Sequence, residues 1–155
     1  MHERAAEFKR QAEASFGIEV AVHEFPEGTK TAADAAAVVG CDLAQIASAL
    51  AFVADRLVVV VTSGTNRVDT AALAALRGVE DARMATPEEV STTLGWSIGG
   101  VPPFCHDTGV PVYLDETLTG HETVWAAAGT PEAVFPVRPA QIVTHADADP
   151  VDVVE

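Results

Sequence analysis

The sequence predicts a mixed α+β fold, and three observations support this. The chain has 155 residues, which is long enough to bury a sizeable core and short enough for one domain. Apolar residues make up 48% of it, a proportion typical of a folded protein and not of a disordered acidic segment. Several short strand-like segments are interrupted by helical ones without regular β-α-β alternation, which favours α+β over a doubly wound parallel sheet.

The first forty residues predict a helix, a strand and a second helix. Apolar residues recur every three or four positions from His2 to Phe16, and a glycine follows, as at the end of many helices. Val20–Phe25 alternates well enough for a strand, and Pro26–Gly28 is typical of a turn. Thr31, with an aspartate three residues later, resembles a capping box for a helix that ends at Gly40.

The middle of the chain predicts two adjacent strands followed by two helices. Two apolar, β-branched runs flank a tight turn, which is typical of a hairpin. Each helix begins at a good capping residue and ends at a glycine, and the second also has proline and two glutamates in its first turn. The expected elements are a helical turn at Leu43–Ile46, strands at Ala49–Val53 and Leu57–Thr62 joined at Asp55–Arg56, a loop at Ser63–Asn66, a helix from Asp69 to Gly78, a short strand at Ala82–Ala85 and a helix from Thr86 to Gly95.

The last third of the chain predicts three buried strands and one short helix. The apolar runs Val110–Asp115, Thr123–Ala127 and Ala133–Val137 are typical of strands, and Pro139 is suited to open a helix. The final segment, Ala146–Glu155, carries four acidic residues and is expected to fray.

The charge of the chain bears on its partners. Nine basic residues against 23 acidic ones give a formal net charge of −14, which would ordinarily repel nucleic acid. An acidic surface poor in lysine also suits a cytoplasm of molar salt, where the Debye length falls to about 3 Å. A salt-loving source is therefore a hypothesis, and the charge does not exclude RNA as a partner.

The sequence predicts a soluble cytoplasmic protein. Met1–Arg4 shows no basic, apolar leader, and the longest aliphatic run, Leu57–Val61, is far too short to cross a bilayer. We therefore expect no membrane partner, while the oligomeric state is not readable from the sequence.

The cysteines and histidines indicate neither a disulfide framework nor a metal site. Cys41 and Cys105 are the two cysteines, and small buried thiols are the simpler interpretation without a secretion signal. Cys105 precedes His106, which suggests a nucleophile and base, but neighbours in an extended segment point to opposite faces. The five histidines lack metal-ligand spacing, so we expect no metal and no other cofactor.

The segment Gly95–Pro103 is the most informative part of the sequence. Gly99 and Gly100 leave backbone N–H groups unshielded, and the two prolines that follow stiffen the loop. Such a loop suits a group that develops negative charge, such as the oxygen of a reacting ester. The simpler alternative is an ordinary connection between a helix and a strand.

Six segments of the chain, and the order in which they follow one another, are similar to the YbaK-like aminoacyl-tRNA editing domain, over about residues 15–145. That family includes free-standing Cys-tRNA(Pro) and Ala-tRNA(Pro) deacylases and the editing insert of bacterial prolyl-tRNA synthetases. The resemblance implies a curved, mixed, partly barrel-like sheet flanked by helices. The segments that carry it are Thr31–Ala36, Gln45–Phe52, Thr62–Asp69, Gly95–Pro103, Tyr113–Asp115 and Ala126–Gly129.

The resemblance implies a deacylase that binds the 3′ end of aminoacyl-tRNA, with prolyl-tRNA synthetase as a candidate partner. Amides of Gly99, Gly100 and Val101 would hold the scissile carbonyl oxygen, because positioning and electrostatics can accelerate hydrolysis of an activated ester. Asp115 would orient substrate or water, or else cap a turn. The residues expected to bind substrate are Thr31, Ser48, Ile98, Pro103, His106 and Gly129.

Three positions depart from the family's pattern. Ser48 stands where the family has a lysine, so it offers a hydrogen bond but no charge. Either activity is lost, leaving a module that binds tRNA or a synthetase, or a hydrogen bond suffices in strong salt, where a point charge contributes little. Lys30 and Arg67, both near predicted loops, are further candidates to supply a cation. Cys105 stands where close relatives tend to have glycine, and Ala127 where some carry serine or histidine.

Two further expectations concern the walls of the pocket. Ile98, Val101 and Phe104 would set its volume and so select the amino acid by exclusion. Trp96 and Trp125 could stack on the terminal adenine, although core packing is the simpler role for each.

Overall fold

The computed structural model describes residues 1–25 and 31–155; the predicted turn at Pro26–Gly28 and Lys30 lie outside the described residues. The described chain forms five α-helices, eight strands and two short 3₁₀ turns, the latter at Leu43–Gln45 and Glu116–Gly120. In chain order the helices and strands are α1 (Glu3–Phe16), β1 (His23–Glu24), α2 (Ala32–Val39), β2 (Ile46–Ala54), β3 (Arg56–Ser63), α3 (Thr70–Arg77), β4 (Arg83–Met84), α4 (Pro87–Leu94), β5 (Val112–Asp115), β6 (Val124–Ala127), β7 (Ala133–Val137), α5 (Pro139–Ala146) and β8 (Asp149–Val151).

The strands form one mixed sheet in the order β1-β7-β6-β2-β3-β5-β8, with β4 also paired to β2. The β1–β7, β7–β6, β2–β3 and β2–β4 pairs are antiparallel, while β6–β2, β3–β5 and β5–β8 are parallel. The predicted mixture of helices and a mixed sheet is thereby confirmed, and the sheet is open, not closed into a barrel.

The β2–β3 hairpin lies at the centre of the sheet. Val58, Val59, Val60 and Val61 are fully buried on both faces of β3, which is why that strand is a continuous apolar run without alternation. Asp55 makes the tight turn at φ +69°, a left-handed conformation that aspartate tolerates better than most residues.

The main hydrophobic core lies between the sheet and α1. Phe8 is fully buried on that helix, and its ring centroid lies 5.0 Å from that of Phe135, 5.7 Å from Phe104 and 6.1 Å from Trp96. Ala5 is also fully buried, so the apolar stripe predicted for the first helix is the face that packs on the core.

The predicted helix starts are confirmed in detail. Thr31 and Thr86 each accept a hydrogen bond from the backbone N–H three residues later, and each capping box is complete. The Asp69 side chain accepts from the N–H groups of the two alanines that follow Thr70.

Two predicted segments differ from the structure. The strand expected at Val20–Phe25 is reduced to the two residues of β1, which pair with β7. The C-terminal segment is not frayed: β8 pairs with β5, and the Glu155 N–H donates to the Arg67 carbonyl at 2.9 Å. The reason is burial, because Val153 is only 2% exposed against the cluster on that side of the sheet. In the described parts of the chain, no helix combines the length and the apolar character needed to cross a bilayer.

Candidate functional site

A cavity of about 210 Å³ lies between the start of α2, strands β2 and β6, and the glycine loop (Gly95–Pro103). Two aromatic side chains, Phe25 and Trp125, form part of its wall, and alanines form much of the rest. Thr31 and Ser48 supply polar groups, and none of the described residues that line it is charged. The cavity is smaller than a typical drug-sized pocket, so it suits a small uncharged group.

Parallel pairing of β2 with β6 builds one side of the cavity. Ile46 pairs with Trp125 and Ala47 with Ala126, and the next residue of each strand, Ser48 and Ala127, lines the cavity. On β6 the intervening Ala126 belongs to the main core, whereas Trp125 and Ala127 line the cavity. On β6 the period of two residues therefore separates the core face from the cavity face.

The glycine loop reaches the cavity at Gly99 and Val101. The N–H groups of these two residues have no acceptor within residues 1–25 and 31–155. The prediction that the Gly100 amide would also hold the acyl oxygen is wrong. The Gly100 N–H donates to the Ser97 carbonyl at 2.9 Å and closes a turn.

Gly100 is needed for packing. A Cβ at this position would lie 2.7 Å from the Cα of Thr130 and 2.9 Å from the ring of Pro131. Pro131 also lines the cavity, so close approach of these two backbone segments forms one of its walls.

Contacts with α1 and within the loop hold the glycine loop in place. The Arg4 guanidinium donates to the Gly95 carbonyl and lies 4.2 Å from the centroid of the Trp96 ring. The Trp96 indole N–H donates to the Cys105 carbonyl at 2.8 Å, and Trp96 is 2% exposed. Core packing, the simpler of the two roles predicted for Trp96, is thus what the structure shows.

Asp115 lies outside the cavity, contrary to the expectation that it orients substrate or water. It is fully buried, and its carboxylate accepts hydrogen bonds from the Thr62 hydroxyl, the Ser63 N–H, the Asn66 amide, and the hydroxyl and N–H of Thr117. Burial alone would raise the pKa of this carboxyl, but these donors outweigh it and hold the pKa below its ordinary value. With so many donors on it, Asp115 caps a turn, which was the predicted alternative.

His106 and Cys105 also lie outside the cavity lining. The Nε2–H of His106 donates to the Pro102 carbonyl at 2.8 Å, and burial lowers the pKa of the ring, so the side chain fastens the loop in its neutral form. Burial raises the pKa of the Cys105 thiol to about 11, which leaves no thiolate to attack an ester at neutral pH. Cys105 has φ +66°, which explains physically why glycine suits this position.

Four other predicted residues do not line the cavity. Ile98 is 48% exposed on the surface, while Pro103 and Phe104 are buried in the core. Gly129 faces the protein: a Cβ there would lie 2.8 Å from the Arg4 carbonyl and equally close to the Trp96 ring, so its missing side chain makes room for α1 and not for a ribose. Of the three residues expected to set the pocket volume, Val101 alone lines it.

Arg67, one of the two cations proposed to replace the family's lysine, does not line the cavity. Arg67 is 87% exposed and lies 3.5 Å from a Glu155 carboxylate oxygen, away from the cavity lining. Lys30 lies outside the described residues. The Ser48 hydroxyl has no partner in the described part of the chain, so its hydrogen is free to donate to a ligand.

Phe25 and Pro131 were missed by the sequence reasoning. Phe25 stood at the end of a predicted strand, and Pro131 follows a glycine turn, but nothing local shows that either faces a cavity. Thr31, Ser48, Gly99 and Val101 are the predicted site residues that the fold brings together.

Comparison with known proteins gives concordant matches. The model of a family described as "Aminoacyl-tRNA editing domain" matches residues 26–144. The uncharacterized protein YwhH of Bacillus subtilis (strain 168) is 34% identical over 125 residues, which cover 78% of each chain. A solved structure described as a candidate trans-editing enzyme for prolyl tRNA synthetase is 39% identical, with a TM-score of 0.93 over 100% of this chain and 99% of that chain. A structure from work on epitope backbone grafting by computational design is 33% identical, with a TM-score of 0.94 over the same shares.

Proposed function

The chain belongs to the aminoacyl-tRNA editing domain family, and we propose that it is a free-standing deacylase that hydrolyses mischarged tRNA in trans. The observation that carries this proposal is the small cavity in which Gly99 and Val101, with amides free of described protein acceptors, lie together with the Ser48 hydroxyl. Such an arrangement suits an aminoacyl ester, whose carbonyl oxygen gains negative charge as the bond breaks.

The reaction needs little side-chain chemistry. The two amides hold the acyl oxygen, and the attacking group is a water or the substrate's own hydroxyl or thiol. When water attacks, its oxygen bonds to the acyl carbon, the bond to the ribose oxygen breaks, and a proton moves to that oxygen. Positioning supplies most of the acceleration, because the ester is already activated.

The substrates we propose are Ala-tRNA(Pro) or Cys-tRNA(Pro), hydrolysed in the cytoplasm, with prolyl-tRNA synthetase as the partner whose errors are cleared. The alanine-rich, uncharged lining supports a small side chain. A pocket of this kind discriminates against one additional methylene by only about 1–3 kcal/mol, so neighbouring small amino acids are competitors.

A panel of mischarged tRNAs in molar KCl tests the proposal. We expect turnover of at least one small aminoacyl-tRNA(Pro), and we expect Gly100→Ala to lower kcat/KM at least tenfold because its Cβ would displace the glycine loop from Thr130. Gly109→Ala is the matched control, since a Cβ there meets nothing within 4 Å. Full activity of Gly100→Ala would show that the loop is not the catalytic element.

One observation favours a second function. Ser48 supplies no charge, and no charged residue in the described chain lines the cavity, so the protein could bind tRNA or a synthetase without hydrolysing the ester. No turnover with any member of the panel, unchanged in Ser48→Lys, would support this binding module against the deacylase.

A further inference from the structure

The two tryptophans of the chain have different surroundings. Trp96 is buried, and its indole N–H is paired with the Cys105 carbonyl. Trp125 is partly exposed, and its indole N–H has no acceptor within the described residues. A partly exposed tryptophan with a free N–H is available to a ligand, whereas Trp96 is not.

The position of Trp125 is fixed on two sides. It packs against the cluster that contains Ile46 and pairs with that residue across the parallel β2–β6 ladder. On β1, the His23 ring meets it edge-on, with centroids 5.0 Å apart and planes at 79°. A ring held in this way loses little side-chain entropy when a flat ligand stacks on it.

Among the described residues, few basic side chains are placed to hold a nucleotide near the cavity by its phosphates. No described cation lines it, and the chain as a whole carries 23 acidic against nine basic residues. Arg4, on α1, is held by the Gly95 carbonyl and the Trp96 ring. Among the described residues, the cavity lining therefore supplies no cation for the phosphate contacts that usually dominate affinity for nucleic acid.

We propose that Trp125 is the stacking platform for the terminal adenosine of tRNA, and that this stacking, and not ion pairing with phosphate, carries recognition of the 3′ end. The inference rests on the proposed function, since it places the nucleotide beside the cavity that would hold the aminoacyl group. Stacking on an aromatic ring holds single-stranded bases strongly. Because stacking neutralises no phosphate and releases no counterions, it depends weakly on salt, which suits an acidic protein.

Binding of the trinucleotide CCA, which carries no amino acid, tests the proposal without hydrolysis. We expect CCA to quench tryptophan emission, whereas a trinucleotide with an abasic ribose in place of the adenosine does not. We expect Trp125→Leu to weaken binding about tenfold and Trp125→Phe to retain most of the affinity, because phenylalanine keeps a π face and leucine does not. Between 0.15 and 1.5 M KCl, we expect the Kd to change less than tenfold.

Several results would overturn the inference. Absence of quenching in the wild-type protein, which needs no variant to fold, would do so, as would wild-type affinity in a folded Trp125→Leu variant. A steep loss of affinity with salt would show that phosphate contacts dominate instead. Binding of CCA without turnover of any aminoacyl-tRNA would overturn the deacylase and leave the stacking platform standing. Turnover of an aminoacyl-tRNA without quenching by CCA would overturn the stacking platform and leave the deacylase standing.

Discussion

The carboxylate of Asp115 shows what a single residue contributes when it is buried among donors. It connects the end of β3, the loop that holds Asn66 and the 3₁₀ turn after β5, through Thr62, Ser63 and Thr117. Each of these hydrogen bonds contributes only modestly to the free energy of folding. Removing the carboxylate would cost more, because each buried donor would have lost its contacts with water without gaining an acceptor in the protein. Asp115 therefore stabilises the fold by holding these three segments together.

We expect Asp115→Asn to lower the free energy of unfolding at pH 7 by about 2 kcal/mol or more, because the amide turns an NH₂ group toward donors. The pKa of Asp115 is lowered in the folded state, so its contribution is fully present above the unfolded-state pKa of about 3.9 and is lost as the pH falls through the lower folded value. Urea unfolding at pH 7 and pH 3 should therefore show that the free energies of unfolding of wild type and variant differ less at pH 3 than at pH 7. The exposed Asp81→Asn is the control, and a gap that widens in acid would contradict the prediction.

Among the elements, α1 has the widest influence on the site although it lies outside the residues that match the family model, 26–144. Its buried face completes the core through Phe8, and Arg4 holds the start of the glycine loop. Gly129 has no side chain because α1 and Trp96 fill that space. The helix thus supports the cavity without lining it.

We expect Phe8→Ala to lower the free energy of unfolding by about 3–5 kcal/mol, because the removed ring is fully buried among three aromatic neighbours. Chemical denaturation followed by circular dichroism measures this directly. Leu76→Ala, on an exposed position of α3, should change the value by no more than about 0.5 kcal/mol. Similar losses in the two variants would show that α1 is peripheral to the core.

Elements that depend on local signals could be predicted from the sequence, and those that depend on distant partners could not. The capping box at Thr31 and the turn at Asp55 need only neighbouring residues, and both are where they were expected. β8 forms because β5 lies beside it, and the residues after β8 are held by a bridge between Val154 and Val68, which no local pattern of acidic residues reveals. The same holds at the site: Ser48 and Gly99 face the cavity, whereas His106, equally polar and close in sequence to the loop, bonds the loop's own backbone.

For the molecule as a whole, most of the excess acidic side chains lie on the surface. The core clusters are apolar, and the described ion pairs, such as Arg77 with Asp55 and Arg83 with Glu89, use up several of the few basic side chains. Most carboxylates are left to repel one another at long range, and a compact fold gathers them more closely than an unfolded chain does.

We propose that the protein is adapted to high salt, and we expect its Tm to be higher in molar KCl than in dilute buffer, because counterions screen this repulsion once the Debye length falls to about 3 Å. Differential scanning calorimetry across a KCl series measures the change. A second series in which sucrose replaces the salt separates screening from general solute effects. Equal Tm values at low and high KCl would count against adaptation to salt.

The two edge strands of the open sheet are too short to pair extensively with a strand of a second molecule. β1 offers two residues and β8 three, and at the second margin Pro150 has no N–H to donate while exposed Asp149 adds a negative charge. A second copy approaching either margin finds few unpaired groups with which to extend the ladder. The sheet can therefore stay open without presenting a long edge strand to which another chain could pair.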